Sequence, residues 1–214
     1  MVDQNKIMAL LKQHFTVAGD ITIDDQGRIT VKGSVWLNTT SVIPPEIKFL
    51  EVTEYFRCNN NPQLTSLVGS PDIVGNGFLC DKNPQLTSLE GGPLKVGGGF
   101  VCSGNPQLKS LKGAPLTVGG NFYCFKSPRL QSLDHLPAEI PGRFVITWTK
   151  KLPLLRALVA KEGVGFLKAE FNPQKGEAVK VAAIINRYRG QGQSAVIICA
   201  AELAAAGFKA NARW

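Results

Sequence analysis

The sequence predicts a repeat solenoid: a parallel β-sheet of stacked short strands, closed by a helix-and-hairpin cap at one end and a small α-helical module at the other. Two observations carry this. Phe56, Phe78, Phe100, Phe122 and Phe144 stand 22 residues apart, and a fixed period of that length marks a solenoid. Other positions keep the same step. Cys58, Cys80, Cys102 and Cys124 lead to Ile146, and Asn61, Asn83 and Asn105 lead to Ser127 and Thr149. Leu64 and Leu67 recur down to Leu152 and Leu155, and Val52, Val74, Val96, Val118 and Ile140 open each unit. Pro71, Pro93, Pro115 and Pro137 punctuate it.

Each position has a physical reason. Phe and Cys at i and i+2 share one strand face, which points inward. The thiol is small enough for a tight core position. The Asn after the strand bonds backbone groups where the chain turns, so that none is buried unsatisfied. Gly75, Gly97 and Gly119 mark a tight return where a side chain would clash. Successive rungs lie about 4.8 Å apart. No rung can bury its apolar face alone, so the array needs neighbours and caps.

The unit V-x-x-x-F-x-C-x-x-N-P-Q-L-x-S-L-x-G-x-P resembles the leucine-rich repeat, L-x-x-L-x-L-x-x-N-x-L, with Phe and Cys in the two strand positions. The match covers about half of the chain. The wording NPQLTSLEGGPLKVGGGF is similar to leucine-rich-repeat proteins encoded by bacteriophages. The resemblance implies a parallel-stranded solenoid that serves as a binding surface without catalysis, in a phage protein acting in the bacterial cytoplasm or attached to the virion.

Residues 1–51 read as the N-terminal cap. Ile7, Leu10, Leu11 and Phe15 form a helical stripe over Lys6 to Phe15. Ile21 to Val31 alternates around a Gly turn as a hairpin, and Val31, Val35 and Leu37 imitate the valine, Phe and Cys positions of a degenerate first rung. Residues 52–155 hold five repeat units. Over 156–214 the pattern changes to helices. Pro153 opens one, with Leu155, Leu158 and Val159 on one side and Gly163 near its end. A second spans Gly176 to Arg189. A third, Ser194 to Ala206, is apolar nearly all round and calls for burial.

Composition bounds the function. Among 214 residues, 44% are hydrophobic and 19% charged, enough to bury a core. No apolar run reaches the roughly 18 residues of a membrane span, and the opening residues, polar and mixed in charge, do not read as a secretory signal. The net charge is +8, and residues 151–214 hold ten Lys plus Arg against four Asp plus Glu. Four of the five cysteines follow the repeat and none forms a CxxC or CxxH pair, so neither zinc nor any other cofactor is expected. Buried unoxidised thiols fit a reducing compartment. Cys199 lacks a supporting His, so no nucleophile is expected and the chain does not read as an enzyme. His14 and His135 stand apart from any catalytic pattern, and His135 replaces a repeat glycine. Val96-Gly-Gly-Gly-Phe100 and Val118-Gly-Gly-Asn-Phe122 lack the order of a phosphate loop.

The variable outward positions carry the functional expectation. Between Phe and Cys stand Arg57, Leu79, Val101, Tyr123 and Val145, an apolar stripe of the kind that soluble proteins seldom leave bare. Phe125, Lys126 and Trp148 follow in the last rungs, so that aromatic anchors gather there beside a cation. A partner protein, a second copy of the chain or the chain's own tail would cover them. Lys180, Arg187, Arg189, Lys209 and Arg213 offer a second candidate, a nucleic-acid interface on the C-terminal module.

Overall fold

Asp3 opens the first helix, α1 (Gln4–His14), by accepting a hydrogen bond from the Lys6 N–H at 3.0 Å. In the computed structural model, which describes residues 3–39, 42–155, 164–169, 175–189 and 191–213, α1 buries Ile7 and Leu11 against the end of the solenoid. Phe15 belongs to the next element, because the chain turns extended there. β1 (Phe15–Ile23) and β2 (Arg28–Leu37) pair antiparallel from Phe15↔Leu37 to Ile23↔Ile29. The hairpin is thus longer than its alternating core suggests.

β2 is also the first rung. Its first half pairs parallel with β3 (Lys48–Val52), Val31 opposite Val52, and its second half with β4 (Phe56–Arg57), Val35 opposite Phe56. Val31, Val35 and Leu37 are all buried. From β2 two parallel ladders run side by side. One is β3, β5 (Ile73–Val74), β7 (Lys95–Val96) and β9 (Thr117–Val118). The other is β4, β6 (Phe78–Leu79), β8 (Phe100–Val101) and β10 (Phe122–Cys124), continued by β11 (Ile140–Ile146) and β12 (Val164–Ala169). The sequence marks one strand per unit. The valine strand is a second, too short for any periodicity to show.

The glycines between the two strands explain their spacing. Gly75, Gly97 and Gly119 donate to the carbonyls of Val52, Val74 and Val96 at 2.8–2.9 Å. A Cβ at any of the three would stand about 2 Å from a carbonyl oxygen of the preceding rung, so close approach, rather than φ, demands glycine. Pro141 takes this position in the last unit and has no N–H to give, and the valine ladder ends at β9. Gly69, Gly91 and Gly113 do need the left-handed region, with φ of 81–91°, and His135 adopts it in their place at 67°.

Inside, the Phe rings form a column. Phe56–Phe78 and Phe78–Phe100 stack at 5.4 and 5.5 Å with planes within 13°. The column ends edge-on at both caps, against Phe49 at 5.6 Å and Phe144 at 5.7 Å. Beside it runs the Asn ladder. The Asn61 N–H donates to Asn83 Oδ1 and the Asn83 N–H to Asn105 Oδ1, both at 2.8 Å. The Asn105 Nδ2 donates to the Cys80 and Cys102 carbonyls.

The C-terminal module closes the far end. It is not purely helical: β12 adds a parallel strand to β11, Val145 opposite Lys168. The helix expected after Pro153 lies largely outside the described residues. α2 (Lys175–Arg187) and α3 (Gln193–Ala205) follow the expected segments. α3 departs from expectation. Ala195, Cys199 and Leu203 are buried, but Ile197 is 76% and Ile198 55% exposed, because α3 is covered on one face only. Among the described residues no helix is long and apolar enough to cross a membrane.

Candidate partner-binding face

Parallel pairing in strict register builds the outer face of the Phe ladder. Trp36 stands opposite Arg57, Arg57 opposite Leu79, Leu79 opposite Val101, and Val101 opposite Tyr123. These five side chains are half-buried and form one row of about 19 Å, four strand steps long. Sequence reasoning missed Trp36, since the first rung is degenerate; its place between Val35 and Leu37, matching that of Arg57 between Phe56 and Cys58, is the signal for it.

A second row runs alongside. Tyr55, Gly77 and Gly99 precede Arg57, Leu79 and Val101 by two residues, so they share the same face. The Tyr55 ring lies over Gly77, where a Cβ would meet its carbons at 3.0 Å. A Cβ at Gly99 would meet nothing nearer than 3.5 Å. The result is a smooth backbone floor beside an apolar row, with aromatic groups at both ends.

At the N-terminal end the Arg57 guanidinium stands 5.1 Å from the Tyr55 ring centre and 6.0 Å from that of Trp36, a cation–π arrangement that fixes its orientation. Trp36 and Arg57, with Asn59 and Asn60, border a cleft of about 470 Å3. At the C-terminal end Tyr123 meets Phe125 edge-on at 6.5 Å, beside the exposed Lys126. Asp81 flanks the middle of the row, where burial pushes its carboxyl above the usual carboxylate range.

Two expected members of this surface are corrected. Trp148 is 1% exposed. It follows Lys126 in the repeat but lacks the positive φ of Lys82 and Lys126, and its ring meets Phe208 edge-on at 6.3 Å inside the core. Val145 is 3% exposed; it lies on the rung to which the C-terminal module adds β12, opposite Lys168. The tail therefore covers the last rung and leaves the row from Trp36 to Tyr123 bare.

The basic residues of the tail differ in setting. Arg187 pairs with Glu202, which also accepts a hydrogen bond from the Tyr188 hydroxyl at 2.6 Å; that bond raises the Tyr188 pKa. Lys180 and Arg187 border a groove that also holds Glu177 and Glu202. Arg189 is half-buried. Lys209 and Arg213 are exposed on the final segment, which docks on the last rung: Asn211 Nδ2 donates to the Thr149 and Leu152 carbonyls at 3.1 and 2.8 Å.

The five cysteines are free and buried. Burial raises the thiol pKa of Cys58, Cys80 and Cys102, and pushes that of Cys199 up to about 11, the opposite of what a nucleophile requires. Among the described residues no group of three or more His, Cys, Asp or Glu is placed to hold a metal ion. No family model matches the chain, and no curated protein or solved structure shows significant similarity to it.

Proposed function

We propose that the protein is a non-enzymatic interaction module that binds another protein through the outer face of its Phe ladder. The observation that carries this reading is the registered row Trp36–Arg57–Leu79–Val101–Tyr123 over a glycine floor. The solenoid core does not need these side chains, which point away from it. Solvation alone would favour polar residues there, while rigid aromatic ends around an apolar centre suit the anchor pockets of an interface. The repeat's likeness to bacteriophage leucine-rich-repeat proteins supports a phage accessory or virion-associated role, with a host or phage protein as partner.

The test is capture from a nuclease-treated bacterial lysate, wild type beside Leu79→Asp/Val101→Asp. Retention of one stoichiometric protein by the wild type and its loss with the variant supports the reading. Equal retention by both sinks it, and so does capture that disappears with nuclease. Self-association of the pure protein, abolished by the same variant, would instead assign the row to a homo-oligomer.

A further inference from the structure

The corners that follow the Phe ladder carry an arrangement that the row does not use. The Asn-Pro-Gln-Leu segments of successive units stack, so Gln107, Arg129 and Lys151 occupy one repeat position, and Lys109 and Gln131 another. The Gln131 N–H donates to the Lys109 carbonyl at 3.1 Å, which holds the second column in register. Lys109, Arg129, Lys150 and Lys151, with Gln131 and Thr149, line a groove of about 710 Å3.

Among the described residues no carboxylate lines this groove. Lys150 reaches out of it to Glu177 at 3.3 Å, and Arg129 is steadied by donating to Gln107 Oε1. Among the described residues no carboxylate pairs with Lys109, Arg129 or Lys151. Elsewhere on the repeats the exposed cation Lys112 does have one, Glu90 at 2.6 Å. Cations held a rung or two apart sit within about one Debye length and repel. A rigid edge that gathers Lys109, Arg129 and Lys151 without a paired carboxylate focuses positive potential on an external anion. The final segment adds to it, since the Arg213 carbonyl accepts from the Leu155 N–H and so brings that segment alongside the same last rung. Among the described residues no aromatic ring lines the groove, so they offer bases nothing to stack on. What remains is recognition of evenly spaced phosphates without reading sequence.

We propose that the groove formed by Lys109, Arg129, Lys150 and Lys151 binds the phosphate backbone of duplex nucleic acid without sequence preference. The site is separate from the row on the Phe ladder and does not depend on it.

The test is fluorescence anisotropy with a labelled random-sequence duplex between 50 and 200 mM salt. Lys109→Gln/Arg129→Gln/Lys151→Gln is compared with Lys32→Gln/Lys48→Gln/Lys95→Gln, which removes the same charge from exposed sites elsewhere. The groove variant should bind at least 10-fold more weakly at 100 mM salt, and the slope of log K against log salt should flatten by about 2 to 3, as loss of three phosphate contacts requires. The control variant should change affinity less than 2-fold, and Lys109→Arg/Lys151→Arg should bind as the wild type does. Equal losses in the two triple variants, or no duplex binding by the wild type at 50 mM salt, overturn the proposal. Equally tight binding of polyglutamate would also overturn it and assign the groove to an acidic peptide.

Discussion

Asn105 makes three hydrogen bonds while fully buried: it accepts from the Asn83 N–H and donates to two cysteine carbonyls. Asn105→Ala takes the partner from the Asn83 N–H and the Cys102 carbonyl and leaves the Cys80 carbonyl to the Asn83 amide alone, and we expect a loss of about 2 kcal/mol or more in urea unfolding. A loss below about 1 kcal/mol would mean that water replaces the ladder. The thiols make a pH-dependent contribution. In the unfolded chain they titrate near 8.5, and in the folded chain burial holds Cys58, Cys80 and Cys102 above that value. Their stabilisation is therefore complete below about pH 8.5 and declines as pH rises through the folded values, because only the unfolded chain releases the protons. Unfolding free energy should fall above pH 9 by up to about 1.4 kcal/mol per pH unit for each thiol. Cys80→Ala should remove one such increment, and an unchanged slope between pH 8.5 and 10 would contradict the assignment. At this scale the sequence was informative wherever residue type and repeat position agreed, as for Asn105. It misled at Trp148, where the repeat position persists but the backbone no longer takes the left-handed turn that Lys126 takes.

Elements were legible in proportion to how often their pattern recurs. The Phe strands, the hairpin and the degenerate first rung all followed from spacing. The valine strands did not, because a two-residue strand has no alternation to read; only the glycines beside them hint at close backbone approach. β12 keeps only one sign of the repeat, Phe166 at 22 residues after Phe144; the valine, cysteine, Asn and leucine positions do not follow, and the pairing is shifted by one, with Leu167 opposite Phe144. α3 is apolar on every side, and composition could not tell a helix buried all round from one that exposes Ile197 and Ile198. The Phe column is the element that joins the rungs, with stacking distances of 5.2–5.5 Å from Phe56 to Phe122. Phe100→Ala in its middle leaves a cavity that neighbouring rungs on both sides hold open. We expect a loss of about 3 to 5 kcal/mol. Phe100→Leu should recover much of it, and a loss under about 1 kcal/mol for the alanine variant would show that the rungs collapse independently.

For the whole molecule, the two ends differ in how they are sealed. The N-terminal cap feeds β2 into both ladders, while the C-terminal module seals the last rung through β12, the Trp148–Phe208 contact and the Asn211 bonds. From sequence, Tyr123, Phe125 and Trp148 formed one aromatic group that partner or tail could cover. The fold divides it: Trp148 is enclosed, and Tyr123 stays on the open row with Leu79. That division is the central claim, and one paired measurement tests it most directly. Trp148→Ala and Leu79→Ala/Tyr123→Ala are each followed by urea unfolding and by titration with the captured partner. We predict that Trp148→Ala lowers stability by about 3 kcal/mol or more and that, under conditions where it remains folded, it binds within 2-fold of the wild type. The row variant should lose at least about 2 kcal/mol of binding, roughly 30-fold, with stability changed by less than about 1 kcal/mol. The reverse pattern, with binding lost in folded Trp148→Ala and kept in the row variant, would contradict the account.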